Sequence, residues 1–285
     1  IKYLAEEFEE VIIYPFYYNN KDTSQRHVPL NVTVSVPPIP KSNAKRILKF
    51  FTQFFTSINW IVFVKDFIYN FKISSLQNLR FVTLSFIDFV ICLGSNQFNE
   101  LKKYNNSTFY YYWGTGWAYT SQFISKKNKV FVRLHGGDVY LERAKGYIPF
   151  RRDVYNRADH ILSISEQIKN YFFINYRDNF CKVHLSRLGT SYIDSNPNKD
   201  DKIISLVSVS NVIKLKRLNL IIDALSKIND HEIRWAHFGD GPELKKIEKL
   251  AQRKLPANIN FSFYGRVKKG VIFEYFTNNH VDSFI

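Results

Sequence analysis

Four consecutive residues at the end of an apolar run are the first candidates for chemistry in this sequence. His135, Gly136, Gly137 and Asp138 follow the strand-like run VFVRL. Loops that follow the carboxyl ends of parallel strands face ligands, and glycine lets the backbone approach a ligand closely. A lone histidine after a strand is more often structural, so the neighbouring Gly-Gly-Asp is what favours a functional interpretation.

A basic dipeptide and a glycine loop form a second candidate. Lys216 and Arg217 open a helix-like stretch, and the motif Gly-Asp-Gly-Pro at residues 239–242 follows the next apolar run. Both features also have structural explanations. A Lys-Arg pair suits a solvated helix start, and backbone geometry alone can require glycine in a tight turn. The sequence offers no recognisable pair of acid and base side chains.

Apolar runs alternate with helix-like stretches from Lys202 onward, which is typical of a parallel α/β domain. Leu218 and Ile222 belong to a series at three- and four-residue spacing that predicts one buried helix face. Pro242 followed by Glu243 predicts the start of the next helix. The predicted strands are IISLVSV, IRWAHF, INFSFYG and VDSFI, and the predicted helices are RLNLIIDALSKI, ELKKIEKLAQ and VIFEYFTN.

The same rhythm occurs earlier in the chain, in VFVRLHGGD, HILSIS and KVHLSRLG, while residues 41–103 predict two or more helices. The stretch SYIDSNPNKDDK, residues 191–202, is polar and lacks apolar periodicity, so it predicts a linker. We therefore predict two doubly wound, parallel-sheet domains, residues 1–195 and 196–285. Ligands would bind in the cleft between them.

The composition indicates a globular protein with an anionic partner. The chain has 285 residues, of which 45% are hydrophobic and 17% aromatic, a composition that favours a folded chain over a disordered one. Its formal net charge of +15 suits nucleic acid, a phosphate-bearing small molecule or an acidic membrane. Cys92 and Cys181 are too few for a disulfide framework or a cysteine-rich zinc site, which predicts a reducing, cytoplasmic environment.

Both ends of the sequence suggest a fragment. There is no methionine, the chain begins in a helix-like segment, and HVDSFI stops inside a predicted strand. The opening IKYLAEEFEE lacks the pattern of a secretory signal. Polar residues interrupt the uncharged stretch 50–64, which is also shorter than the roughly 20 apolar residues of a membrane-spanning helix.

The blocks LVSVSNVIKLKRLNLIIDAL, WAHFGDGPELKKIEKLAQ and FSFYGRV resemble, in order and spacing, the second domain of retaining family 4 glycosyltransferases. VFVRLHGGDVYLER, PFRRDVYNRADHILSISEQIKNYF and KVHLSRLGT resemble blocks of the family's first domain. The resemblance is strongest from about Val130 onward. It implies the GT-B architecture, in which two Rossmann-like domains face each other across a cleft, with the second domain incomplete here.

The resemblance also implies site residues. Lys216 would stabilise the diphosphate leaving group, and Asn211 stands where the family usually has arginine, which leaves Arg217 as a neighbouring source of charge. His135 would hold the donor sugar as the catalytic-site residue. The implied donor-binding residues are Ser210, Asn211, Lys216, Gly239, Asp240, Gly241, Pro242, Gly265, Arg266 and Val267. The implied acceptor-side residues are Gly136, Gly137, Asp138 and Arg187.

The implied activity is transfer of a hexosyl group from a nucleotide-sugar donor to a glycan or lipid-linked acceptor in polysaccharide biosynthesis, with retention of configuration and without metal or cofactor. The family's glutamate pair would begin just past Ile285, so this chain is expected to be inactive alone. Residues 41–72, rich in Phe and Lys, would either contact the inner membrane face peripherally or pack in the core.

Two other functions stay open. A nucleic-acid-binding module would need clustered basic residues with exposed aromatic residues, whereas these charges are dispersed and the α/β rhythm is regular. A nucleotide-sugar epimerase shares the two-domain architecture but needs acid and base side chains that the sequence does not reveal. The favoured prediction is sugar transfer, with no nucleic-acid partner.

Overall fold

The chain divides into two units, Ile1–Leu188 and Gly189–Ile285. The boundary predicted after residue 195, and all of the predicted linker except Lys202, lie outside the described residues. The computed structural model describes residues 1–17, 27–55, 60–70, 79–144, 146–190 and 202–285.

The first unit contains a parallel sheet of order β3-β4-β5-β6 and a separate parallel pair, β1-β2. Several helices occupy residues 41–103, as predicted. The elements are α1 (Lys2–Glu7), β1 (Val11–Ile13), β2 (Val32–Val34), α2 (Asn43–Phe54), α3 (Trp60–Asn70), α4 (Leu79–Leu93), α5 (Asn96–Leu101), β3 (Thr108–Tyr111), β4 (Lys129–Leu134), α6 (Gly136–Val139), α7 (Arg151–Arg157), β5 (His160–Ser163), α8 (Glu166–Asn175) and β6 (Val183–Leu185), with 3-10 helices at Gly116–Phe123 and Arg177–Lys182.

Strand β4 is fixed by its alternating burial. Val130, Val132 and Leu134 are fully buried, whereas Phe131 and Arg133 on the other face are only partly buried. This period of two is the strand repeat, and it anchors the apolar face of β4 in the core. The loop that begins at His135 therefore leaves the carboxyl end of a well-packed strand.

The second unit alternates strand and helix as predicted, in one parallel sheet of order β10-β7-β8-β9. The chain moves from β7 to β8 and β9 on one side, and then returns to place β10 on the other. The loop after β7 therefore lies at the topological switch point of the sheet. The elements are β7 (Ile203–Val209), α9 (Leu218–Leu225), β8 (Glu232–Phe238), α10 (Leu244–Lys254), β9 (Ile259–Phe263), α11 (Lys269–Asn278) and β10 (Ser283–Phe284).

Helices cover both faces of this second sheet. Trp235 of β8 packs in one apolar cluster with Ile222 of α9 and Ile247 of α10. The next residue, Ala236, points to the opposite face and packs in a second cluster with Ile272 of α11. Alternate strand residues thus enter two different cores, which confirms the predicted α/β class with parallel, doubly wound strands.

Helix α10 begins slightly later than predicted. Pro242 lies in a turn, and the helix begins at Leu244 with Glu243 as its N-cap residue. The reason is that the preceding backbone is bound to the β7 loop, since Glu243 N donates to Val212 O at 3.2 Å. Within the described ranges, no helix has the length and apolar character needed to cross a membrane.

Candidate functional site

The loops after β7, β8 and β9 are joined by backbone hydrogen bonds at one edge of the second sheet. Ser210 N donates to Phe238 O at 3.0 Å, and Gly239 N donates to Gly265 O at 2.8 Å. Val212 N also donates to a carbonyl of the Gly-Asp-Gly-Pro loop, at 3.0 Å. The three blocks that the sequence analysis singled out thus meet within this unit.

The glycines of the Gly-Asp-Gly-Pro loop are required by this close contact. Gly239 has a φ of 152°, and a Cβ at this position would overlap Ser210 O. A Cβ at Gly241 would overlap Val212 O in the same way. The structural explanation for these glycines is therefore sufficient, and they shape the edge without needing a ligand.

We expect Gly239→Ala to lower the free energy of unfolding by more than about 2 kcal/mol, because it combines backbone strain with steric overlap. Gly270→Ala is the matched control. Gly270 lies in α11, where an added Cβ would meet no atom within 4 Å, so alanine there should stabilise by roughly 0.5–1 kcal/mol. Urea unfolding of both variants measures the difference, and equal effects would contradict this account.

Three cationic side chains follow β7 at the switch point. Lys214, Lys216 and Arg217 are all exposed. None of them forms an ion pair or side-chain hydrogen bond with any residue of the described part of the chain. Arg217 has a φ of 52°, a left-handed conformation that is uncommon for non-glycine residues and concentrates at functional sites. The loop therefore presents positive charge that no described acidic residue neutralises.

The other predicted residues of this edge divide into exposed and packed groups. Asn211 and Arg266 are exposed. Asp240 Oδ1 accepts a hydrogen bond from Gly241 N at 2.6 Å, so its carboxylate is occupied in its own turn. Val267 packs against the α11-side core, which gives its side chain a structural role.

Sequence reasoning missed a buried polar network beneath this edge. Ser208 and His237 are paired in register on β7 and β8, and His237 Nδ1 lies 2.8 Å from Ser208 Oγ. Trp235 Nε1 donates to the same oxygen at 2.9 Å. Because indole can only donate, Ser208 accepts from Trp235 and can donate to a neutral His237. The available signal was the presence of two polar residues in otherwise apolar strand runs.

Burial lowers the pKa of His237. The free energy of unfolding should therefore depend on pH through this residue. Unfolded histidine has a pKa of about 6.5, so below that pH the unfolded state binds a proton that the folded state resists. The stability contribution is present above about pH 6.5 and is lost as the pH falls. Between about pH 7.5 and 5, we expect the free energy of unfolding measured in urea to fall less in His237→Gln than in the unmodified chain. Parallel pH profiles of the two proteins would contradict this.

In the first unit, Asp138 joins the loops after β3 and β4. Its Oδ1 accepts from His135 N at 2.6 Å and its Oδ2 accepts from Gly114 N at 2.7 Å. The side chain is buried, and burial raises its pKa to about 6, while the two N–H donors act in the opposite direction. Asp138 is thus mainly a structural clamp for the predicted acceptor-side loop.

The imidazole of His135 lies at the same edge and is 7% exposed. It packs on Trp113 with a centroid distance of 4.0 Å, and the Tyr112 ring is 5.0 Å away. Burial and the charge of Arg133 lower its pKa, so the ring is neutral. Among the described residues, neither ring nitrogen has a hydrogen-bond partner. Both nitrogens are buried, and Nδ1 lies 3.9 Å from Asp138 Oδ2.

Arg151 donates hydrogen bonds to the backbone of this loop. The sequence analysis did not identify this residue. Its guanidinium donates to Asp138 O at 2.9 Å, to Val139 O, and to Tyr176 Oη at 3.0 Å. The side chain is 5% exposed. Nothing in the run PFRRDVY distinguishes this arginine from its neighbour Arg152, because its contacts come from distant parts of the chain.

The other residues predicted on the acceptor side differ in how closely they are packed. A Cβ at Gly137 would meet no atom within 4 Å, while one at Gly136 would meet Arg143 Nη1 at 2.6 Å. Arg187 is exposed after β6, at the same carboxyl edge of the sheet. Ser165 is the N-cap residue of α8, and its Oγ accepts a hydrogen bond from Ile168 N at 3.4 Å.

The fold and these edges define a protein with two parallel-sheet α/β units, each carrying polar loops at the carboxyl ends of its strands. No protein-family model and no curated protein matches the chain. Among solved structures, it is similar to accessory secretory protein 1, 2 and 3 of Streptococcus pneumoniae at 12% identity and a TM-score of 0.43, over 70% of this chain and 39% of that one.

Two further similar structures are glycosyltransferases. The lipopolysaccharide outer core galactosyltransferase WaaB matches at 16% identity and a TM-score of 0.39, over 55% of this chain and 42% of that one. The pneumococcal O-GlcNAc transferase GtfA, solved with UDP and GlcNAc, matches at 19% identity and a TM-score of 0.36, over 52% and 31%. The chain thus spans less than half of the length of each protein.

Proposed function

We propose that this chain belongs to an enzyme that transfers a hexosyl group from a nucleotide-sugar donor to a glycan or lipid-linked acceptor, with retention of configuration. The observation that carries the proposal is the exposed charge of Lys214, Lys216 and Arg217 at the switch point of the second sheet, which has no ion-pair partner among the described residues. Ligands of open α/β sheets bind at such points. A diphosphate is a ligand whose charge this loop complements.

On the donor side, the cationic loop would stabilise the departing nucleoside diphosphate. Charge that develops on the leaving group is best stabilised by fixed cations and N–H donors already in place. The proposal includes no metal and no cofactor, because Lys216 and its neighbours supply the positive charge. The turn formed by Gly265 and the exposed Arg266 would lie nearer the nucleoside, as the resemblance implies.

On the acceptor side, His135 and the aromatic residues before it would contact the sugars. A neutral imidazole can accept at one ring nitrogen and donate at the other, which suits a sugar hydroxyl. Tyr112 and Trp113 are 49% and 48% exposed beside it, and their ring faces offer apolar surface to a pyranose. Gly137 would allow close backbone approach, and Arg187 would contact a phosphate-bearing acceptor.

We also propose the GT-B arrangement of the two units and a cytoplasmic location. The rival functions use different chemistry. A nucleic-acid-binding protein would bind polymer with strong salt dependence, and an epimerase would alter the donor without any acceptor.

Thermal shift with a nucleotide panel tests the proposal on the whole chain. We expect stabilisation by one or more of UDP, GDP and ADP, and little by the corresponding nucleosides. If inorganic pyrophosphate stabilises the chain as much as a nucleoside diphosphate does, the loop binds anions in general and not a nucleotide. Stabilisation by single-stranded DNA or RNA in preference to nucleotides would favour the nucleic-acid alternative. For a longer protein containing this chain, product analysis with sugar donors separates transfer from epimerisation.

A further inference from the structure

The most apolar side of helix α2 is exposed to solvent. No residue of α2 is buried. Ile47, Leu48, Phe51 and the following Phe55 are 50%, 66%, 59% and 84% exposed. Their spacing of one, three and four residues places them on one side of the helix. A helix in a soluble protein normally buries this side, so the exposed stripe needs a partner.

The opposite side of α2 is attached to the rest of the first unit by polar and aromatic contacts. Arg46 pairs with Asp88 of α4 at 2.6 Å, and Gln53 Nε2 donates to Gly94 O at 2.9 Å. Phe50 packs edge-on against Phe86 of α4. Because these contacts fix the rotation of the helix, the apolar stripe cannot turn inward without breaking a buried ion pair.

Helix α3 repeats the pattern. Ile61, Val64 and Ile68 are 43%, 37% and 71% exposed, with Lys65 between them in the sequence. The inward side is anchored by Asp66, whose Oδ2 accepts hydrogen bonds from Tyr147 Oη at 2.8 Å and Phe150 N at 2.9 Å. Two consecutive helices thus each expose an apolar stripe.

The charges next to these stripes identify the occupant. Lys45 of α2 and Lys65 of α3 are exposed, whereas Arg46 and Lys49 of α2 bond to Asp88 and to Pro38 O. Helix α2 has no acidic residue, and the acidic residue of α3, Asp66, is buried. A second copy of this surface would bring lysine against lysine, and nucleic acid would leave the apolar side chains in contact with water. An anionic bilayer surface satisfies both features, since apolar side chains enter the headgroup boundary while lysines meet lipid phosphates.

We propose that α2 and α3 dock this chain onto the surface of a bilayer that carries anionic lipids. The apolar stripes lie in the headgroup region, and Lys45 and Lys65 contact lipid phosphate. Neither helix crosses the membrane. This proposal is independent of sugar transfer, because none of its residues belongs to the nucleotide or His135 sites.

The test is co-sedimentation of the whole chain with vesicles of phosphatidylcholine, with and without about 30% phosphatidylglycerol. We expect binding to the anionic vesicles, and at least about a tenfold loss in Leu48→Ser/Phe51→Ser, since two large apolar side chains leave the interface. The matched control is Phe173→Ser/Ile174→Ser, which removes two exposed apolar residues from α8 and should bind as the unmodified chain does. Circular dichroism confirms that each variant is folded.

Charge is tested separately with Lys45→Gln/Lys65→Gln. We expect about a tenfold or larger loss on anionic vesicles and little change on neutral ones, because each lysine near an anionic surface contributes on the order of 1 kcal/mol. Absence of vesicle binding, or equal binding by all variants, would overturn the proposal. Sedimentation velocity adds one more outcome: self-association that only Leu48→Ser/Phe51→Ser abolishes, without vesicle binding, would assign the surface to a second copy instead.

Discussion

Lys216→Ala is expected to weaken the binding of a nucleoside diphosphate by about 10- to 100-fold. Hydrogen bonds to charged groups contribute roughly 1.5–3 kcal/mol, and about 1.4 kcal/mol corresponds to a factor of ten in affinity. Lys216 has no competing partner in the described part of the chain, so its loss is not compensated by relief of an internal contact. Isothermal titration calorimetry measures the effect.

Lys227→Ala is the control for this prediction. Lys227 is also exposed and also belongs to the second unit, but it follows α9 at the amino end of the next strand, β8. If the loop after β7 binds the diphosphate, Lys227→Ala should change affinity by less than about threefold at physiological salt. An equal loss in both variants would indicate a general effect of net charge, and no loss in Lys216→Ala would remove the loop from the binding site.

Arg151→Met is expected to lower the free energy of unfolding of the first unit by about 3–5 kcal/mol. The substitution leaves Asp138 O, Val139 O and Tyr176 Oη without their donor, and buried acceptors that lose a charged donor are costly. Methionine retains most of the apolar volume, so the loss reports the hydrogen bonds. Urea unfolding measures it.

The neighbouring Arg152→Met provides the comparison. Arg152 is exposed and donates to Tyr69 Oη at 2.6 Å, so its loss should cost less than about 1 kcal/mol. Similar effects of the two substitutions would show that Arg151 does not hold the α6 turn. Hydrogen exchange at residues 135–139 should increase in Arg151→Met and stay unchanged in Arg152→Met.

Much of the second unit could be predicted from the sequence. The β7 run IISLVSV is the strand Ile203–Val209, because most of its residues are apolar and a polar turn ends it. The spacing of Leu218 and Ile222 predicted the buried face of α9, and both are buried. Such local patterns directly reflect strand and helix periodicity.

The sequence could not predict the contacts between distant segments. Ser208 and His237 meet only because β7 and β8 pair in register, and Gly239 is required because Ser210 O lies against it. The Phe-rich stretch shows the same limit: Phe63 is buried whereas Phe51 and Phe55 are exposed. Core packing is confirmed for Phe63, membrane contact of the exposed residues stays a prediction, and composition alone could not tell which residues are buried.

We propose that the loop after β7 binds the diphosphate of a nucleotide. Hydrogen–deuterium exchange of the whole chain, with and without the nucleotide that stabilises it most, locates this binding along the sequence. We expect slower exchange in residues 210–217, 239–243 and 265–267 upon nucleotide binding, and no change there with the nucleoside alone. Protection confined to other segments, with exchange in residues 210–217 unaltered at saturating nucleotide, would contradict it.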